Sequence, residues 1–334
     1  MQSVLGDHSI QDFLGRGPVT LVVAGKATHG MIQGFVTSND LSIRRGIAVG
    51  VEKEAEGPLP IVWYRGGHPV PVLGSVEAGR AALRCAAGVS SSECLVVLLS
   101  GGASALMAVP AGAVTLKEKV DTTRVLLGAG VPIHELNCVR KHLSAVKGGR
   151  LALATPGRVL TLAISDVVSP VEDDPSVIGS GPTVVDETTF ADALVIVDRP
   201  GIRERVPSSV LRLLERGRDG LVSETMEDGN LSPERAMYRV IGSRREAMAG
   251  ALLTARKLGY QAIAINKAIE GEARVVGVNH PERVIVAGQQ LMAPRCVVSS
   301  GETTVTVSGG GRGGRNQELA LAALSELSRL GSEA

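Results

Sequence analysis

Three strand-end turns, one helix and one glycine loop carry the residues of this chain that could do chemistry. In "VVAGKATHG", Gly25 and Lys26 close an apolar run and open a helical one, so the lysine can reach a phosphate held over a helix N-terminus. Thr20 stands where a Walker A loop needs its leading glycine, and a surface lysine is the plain alternative. In "LLSGGASALM", Ser100, Gly101, Gly102 and Ser104 form a strand-to-helix turn that offers unhindered backbone N–H groups and hydroxyls to an anion. The G-x-S-x-G of a nucleophile elbow is not matched, and a tight turn alone would also call for the glycines.

The stretch "HELNCVRKHLSAVKGGR" reads as a helix on which Asn137, Lys141 and Ser144 share one face, with Arg140, Ser144 and Lys147 on the next. Its ordinary alternative is a solvated basic helix. In "ISDVVSPVEDDPSVIGSGPT", Asp166 ends a strand and Glu172, Asp173 and Asp174 follow on a loop. Magnesium in phosphoryl-transfer sites takes one or two carboxylates besides phosphate and water, whereas a merely solvated loop is the alternative.

The last motif, "SGGGRGGRNQE", places Gly309, Gly311 and Gly314 at the spacing G-x-G-x-x-G, after the strand-like "ETTVTV" and before the helix-like "NQELALAALSELSRL". A Rossmann fingerprint sits in the first βα turn, with an acidic residue about 20 positions on. Here the helix is followed by "GSEA" alone, so no βαβ unit is completed. Arg312 and Arg315 bring the planar fork that recognises phosphate or carboxylate. The loop reads as an anion clamp and not as an NAD site.

The elements that must position these groups alternate. Near-continuous apolar strands begin at Val19, Cys94 and Arg158, of the kind buried on both faces of a parallel sheet. Helical patterns occupy 72–87, 116–127, 133–153, 191–198 and 206–216, which predicts an α/β layered fold. The polar, aperiodic stretch 217–234 is taken as the boundary between domains 1–225 and 226–334. Beyond it come a strand near Tyr238, a helix over 244–259, a strand from Tyr260, a helix over 272–291 and the strands "RCVVSS" and "ETTVTV".

Composition narrows the function. The 334 residues suit about two domains, and 44% apolar with 21% charged residues is ordinary for a globular protein. Thirty-five basic residues against 34 acidic ones leave a net charge of +1, so no global field favours nucleic acid or an anionic membrane. The uncharged run 94–116 is broken at Ser100–Gly102 and again at 109–112, and lacks aromatic belts, which argues against a membrane span. Cys85, Cys94, Cys138 and Cys296 form no C-x-x-C pair and no zinc spacing. With no signal-peptide pattern at the start, a cytoplasmic location is expected.

Taken in order, "AGKA", "GGHPVP", "LLSGGASALM", "IHELNCVRKHLSAVKGGRLA", "SDVV…DDPSVIGSGPTVVDETTFADAL", "VIGSRREAM", "EGEAR" and "SGETTVTVSGGGRGGRNQELAL" resemble the glycerate 2-kinase family, whose C-terminal module is called MOFRL. The resemblance covers nearly the whole chain. It implies a Rossmann-like N-terminal α/β domain, a second α/β domain, and a cleft between them where ATP phosphorylates D-glycerate at its 2-hydroxyl. Lys26 matches the family's lysine after the first strand, and Arg315 or Arg312 the arginine of the glycine loop.

Lys26, Arg315 and Arg312 on this resemblance, and Asp166 from its place at a strand end, are expected to be catalytic. Ser100, Gly101, Gly102, Ser104, Asn137, Lys141, Lys147 and Glu302 are expected to bind substrate or nucleotide, and Asp173 and Asp174 magnesium. Ser300, Arg244 and the inserted "SPVE" depart from the family pattern. The family's "TDG…DG…T" segment is absent, so the second domain is expected to be C-terminally incomplete. The leucines 319, 321, 324 and 327 would then be poorly covered and favour a homo-oligomer. Two other readings stay open: an NAD(P)H-dependent hydroxypyruvate reductase, and a non-catalytic glycerate- or nucleotide-binding relic.

Overall fold

All six residues of strand β1 (Val19–Ala24) are buried, because apolar layers cover both of its faces. Val19, Leu21 and Val23 point into one layer, and Val22 and Ala24 into the other, as the two-residue period of a strand requires. The computed structural model that shows this describes residues 1–38, 40–52, 58–307 and 311–330. Strands β2 (Ile43–Gly50), β3 (Ile61–Arg65), β4 (Cys94–Leu99), β5 (Arg158–Ile164) and β6 (Ala236–Gly242) complete a six-stranded sheet of order β3-β2-β1-β4-β5-β6. The pairs β1–β2, β1–β4, β2–β3 and β4–β5 are parallel. This is the strand order of a Rossmann-like sheet, whose order reverses between β1 and β4, and ligands of such sheets bind outside the carboxyl ends of the strands at that reversal.

Ala78, Ala81, Ala82 and Ala86 of the helix Leu73–Ala87 close one face, while Met31, Ile32 and Phe35 of the helix Thr28–Thr37 close the other. Trp63, the single tryptophan of the chain, lies half-buried on β3 with its ring 6.5 Å from that of His29. A third apolar cluster joins the helices Leu116–Gly128, Ile133–His142, Phe190–Val197 and Ser208–Arg218 around Phe190. Gly217 must be a glycine there, since a Cβ would collide with the Phe190 ring.

Several elements differ from expectation. The predicted helix 133–153 stops at His142 and resumes only over Arg150–Leu153. Gly148 (φ 57°) and Gly149 (φ 74°) turn the chain, and Ser144 leaves the helix to form an antiparallel bridge with Pro110. The strand near Tyr238, expected to open the second domain, is β6 and joins the first sheet. By its internal contacts the chain divides into Met1–Val167 with Asp173–Ile241, and Val168–Glu172 with Gly242–Ala334. The division thus falls beyond 225/226. The stretch 217–234 is held in the first unit by Met226, which is 3% exposed and whose N–H donates to Gly148 O at 2.8 Å.

The second unit is a parallel pair, β7 (Gln261–Glu272) and β8 (Arg295–Thr304), with the helices Arg244–Lys257, Ala273–Gly288 and Arg315–Leu330. The two strands expected over 295–307 are one. It runs through Gly301, where a Cβ would collide with the Ile269 backbone. On the last helix Leu321 and Leu324 are 71% and 60% exposed, whereas Leu319 is half-buried. Among the described residues no helix is long and apolar enough to cross a membrane.

The last helix lies against Gly277, where a Cβ would stand 2.6 Å from Leu319 O and 3.1 Å from Ala323 N. Gly277→Ala should therefore force the two helices apart and cost about 1–3 kcal/mol, read as a lower urea midpoint for the circular-dichroism signal. An unchanged midpoint would show that this close approach contributes nothing to stability.

Candidate active site

The turns after β1 and β4 are stitched to each other. Ser100 N–H donates to Ala24 O at 3.0 Å, and Lys26 N–H to Gly101 O at 2.9 Å. Ser100 Oγ accepts from Ala27 N at 3.0 Å. Gly25 makes this approach open to Ser100: its φ is 141° and a Cβ there would strike Ser100 Oγ. Thr28 Oγ1 adds bonds to Gly25 O at 2.7 Å and Val49 O at 2.9 Å.

Two charged side chains flank the glycines that follow. Gly102 (φ 88°) precedes the short helix Ala103–Leu106, and a Cβ on it would lie 3.3 Å from Lys26 Cε and 3.0 Å from His68 Cδ2. Lys26 is exposed, and its ammonium has no hydrogen-bond or ion-pair partner among the described residues. Asp166, also exposed and two residues beyond β5, leans on Gly101 so closely that a Cβ there would collide with its Oδ2. Lys26, Asp166, Gly101 and Gly102 therefore come together at the β1/β4 reversal. His68, visible in the sequence only within "GGHPVP", joins them.

The basic helix is sorted differently from its sequence pattern. Lys141 is 6% exposed and its ammonium pairs with the buried Asp186 carboxylate at 3.0 Å. Lys147, 1% exposed, donates to Ser104 O at 2.7 Å, and its N–H to Ser144 Oγ at 3.4 Å. Burial, with Arg140 and Lys119 nearby, holds the Lys147 ammonium well below the usual lysine range. Both lysines, expected as ligand contacts, are engaged inside the first unit, Lys141 with a carboxylate and Lys147 with the Ser104 carbonyl. Asn137 is 5% exposed and accepts a long bond of 3.4 Å from Arg140. Ser104 Oγ is shared between Arg140 (2.6 Å) and Ser180 Oγ (2.9 Å).

The acidic loop splits as well. Glu172 is held by Arg244 at 2.9 Å and Arg245 at 2.6 Å in the second unit, and the Arg245 hydrogen bond keeps its carboxyl below the usual range. Asp174 Oδ1 caps Ser176 N at 2.8 Å. Asp173 adopts a φ of 61°, uncommon for a residue with a side chain, and its N–H returns to Val167 O at 3.2 Å. Its Oδ1 is buried without a hydrogen-bond partner. An orphaned carboxylate oxygen is a hard donor of the kind a hard cation takes. Among the described residues no group of three or more His, Cys, Asp or Glu is placed to hold a metal ion.

In the second unit Arg315 opens the last helix and its guanidinium pairs with Glu302 on β8, both partly exposed. The two were expected as separate ligand groups. Arg312 is exposed. Residues 308–310, and with them Gly309 of the glycine motif, lie outside the described residues. The loop follows β8 of the two-stranded sheet, whereas a dinucleotide fingerprint would belong to the first turn of the Rossmann-like sheet, which here is Gly25–Lys26.

Known proteins match both units. The family described as a domain of unknown function (DUF4147) matches residues 3–215, and the MOFRL family residues 295–333. A relative from Pyrococcus horikoshii named glycerate 2-kinase is 36% identical over 327 residues, 96% of this chain and 72% of its own. One from Agrobacterium vitis, with hydroxypyruvate reductase as a provisional name, is 38% identical over 92% of this chain and 68% of its own. The solved structure of a glycerate kinase from Thermotoga maritima matches with a TM-score of 0.79 at 33% identity, over 98% of this chain and 76% of that one. Alike in sequence and in fold over nearly all its length, this chain belongs to the glycerate 2-kinase family that carries the MOFRL module.

Proposed function

We propose that this chain transfers the terminal phosphoryl group of ATP to the 2-hydroxyl of D-glycerate, giving 2-phosphoglycerate. The observation that carries the reading is the pairing of an unengaged lysine, Lys26, and an exposed carboxylate, Asp166, on the two sides of the Gly101–Gly102 turn. Phosphoryl transfer needs positioning and charge neutralisation more than covalent chemistry. Lys26 neutralises charge on the moving phosphoryl group. The backbone N–H groups of Gly101 and Gly102 cradle phosphate oxygens, and Asp166 orients the attacking hydroxyl. Arg312 and Arg315 of the second unit offer two further guanidinium groups suited to phosphate, Arg315 by exchanging Glu302 for it.

Magnesium, when bound, would supply charge neutralisation to the phosphate groups. Asp173, with its orphaned Oδ1, and Asp174, whose Oδ1 caps Ser176 N, are the groups that would hold it together with phosphate and water. The four free cysteines suit a reducing, cytoplasmic setting.

The deciding experiment is an ATP-consumption assay with D-glycerate and magnesium, with the product position read by NMR. No turnover, or oxidation of NADH with hydroxypyruvate in its place, would refute the kinase reading. Given that activity, Lys26→Ala and Arg315→Ala should each lower kcat about 10²- to 10³-fold, the usual loss for one electrostatic stabiliser. Their melting temperatures should move little, since Lys26 is unengaged and the Arg315 pair is exposed. Near-normal turnover in either variant would remove that residue from the chemistry.

A separate metal titration probes the carboxylates. Asp166→Asn and Asp173→Asn should raise the magnesium concentration needed for half-maximal rate, with unfolding of the metal-free chain nearly unchanged. Coincident titration curves would return the loop to a purely structural role.

A further inference from the structure

We infer that Arg140 receives the carboxylate of the 2-hydroxy acid, with the Ser104 hydroxyl beside it. The assignment rests on the kinase reading above and extends it to a residue that neither the glycine turns nor the arginine loop would indicate. It begins from an imbalance of charge. Lys119 is 4% and Lys147 1% exposed, and Arg140 stands with them in a region dry enough to lower all three ionisations. Among the described residues no carboxylate contacts any of the three. The nearby acids are engaged elsewhere: Asp186 holds Lys141, and Glu224 holds His142 at 3.2 Å and Phe190 N at 2.9 Å.

The two lysines are used up by the backbone. Lys119 Nζ donates to Leu143 O at 2.7 Å and Arg140 O at 3.1 Å, and Lys147 Nζ to Ser104 O at 2.7 Å. Arg140 is not. Its guanidinium has five N–H donors, and its two partners, Ser104 Oγ at 2.6 Å and Asn137 Oδ1 at 3.4 Å, are neutral. A desolvated cation fitted only with neutral acceptors lacks a counter-ion, and a planar fork of this kind is matched by a carboxylate.

Access and orientation agree. Arg140 and Ser104 are half-buried, while Lys147 and Ser180 behind them are closed from solvent. Ser180, 2.9 Å from Ser104 Oγ, is one of two described non-glycine residues with positive φ, at 62°. Backbone strain of this kind gathers at ligand clamps. Ser104 lies two residues beyond Gly102, over which Lys26 passes. A three-carbon acid whose hydroxyl faces Lys26 and Asp166 thus has its carboxylate end toward Arg140.

The test is steady-state kinetics of the full chain with Arg140→Lys and Ser104→Ala beside the wild type, each checked by thermal unfolding. Arg140→Lys keeps the charge and loses the fork. It should raise KM for glycerate about 10- to 100-fold, the scale of a lost charge-assisted hydrogen bond, while KM for ATP stays within about twofold. Discrimination of glycerate from glycerol should fall with it. Should Arg140→Lys not fold, Ser104→Ala carries the same expectation at about three- to tenfold. Unchanged glycerate KM, or equal rises in both KM values, overturns the assignment and leaves the kinase intact. A wild type without glycerate turnover overturns the functional reading. Calorimetric titration of D-glycerate into wild type and Arg140→Lys then decides the carboxylate site alone: loss of binding in the variant supports it, and equal or absent binding refutes it.

Discussion

The contact between Gly25 and Ser100 is the one on which the first unit's chemistry depends. A side chain at residue 25 would occupy the place of Ser100 Oγ. With none there, the hydroxyl closes on Ala27 N while Lys26 N reaches Gly101 O. The turn that carries the lysine and the turn that carries the glycines are therefore a single piece of backbone, anchored to two central strands whose side chains are wholly buried. Functional groups mounted on such a frame need little reorganisation, and preorganisation is where phosphoryl-transfer enzymes gain most of their rate.

Beneath that frame the molecule uses lysines in an unusual way. Lys119 and Lys147 are buried as donors to main-chain carbonyls, and so tie the end of the helix Ile133–His142 and the short helix Ala103–Leu106 in place. An unpaired cation in a dry interior is expensive, and such groups shift toward their neutral form. Main-chain carbonyls are the acceptors each of these two lysines has, so the struts hold without consuming a carboxylate.

Much of this was legible in the sequence, and the failures have physical causes. β1, β4 and β5 announce themselves as unbroken apolar runs because both of their faces are covered. β2 and β3 do not, since β2 carries Arg44 and Arg45 directly after its first residue and β3 mixes Trp63, Tyr64 and Arg65 at the sheet's edge. The clustering of Gly25–Lys26, Gly101–Gly102 and Asp166 followed from strand ends alone. The helical stripe through Ser144 did not hold, because periodicity could not register that Gly148 and Gly149 would turn left-handed. Nor can spacing show that Lys141 will meet Asp186, or Arg315 Glu302, since those pairings depend on which elements become neighbours.

The placement of Trp63 has a spectroscopic consequence. It is the chain's lone indole, half-buried on β3, and the second unit has only the exposed Tyr260. Intrinsic tryptophan emission therefore reports on the Rossmann-like sheet and is blind to β7, β8 and their helices. An emission curve with one clean transition would describe that sheet alone. Whether the two units melt together has to be read from the backbone, by far-ultraviolet dichroism or amide exchange.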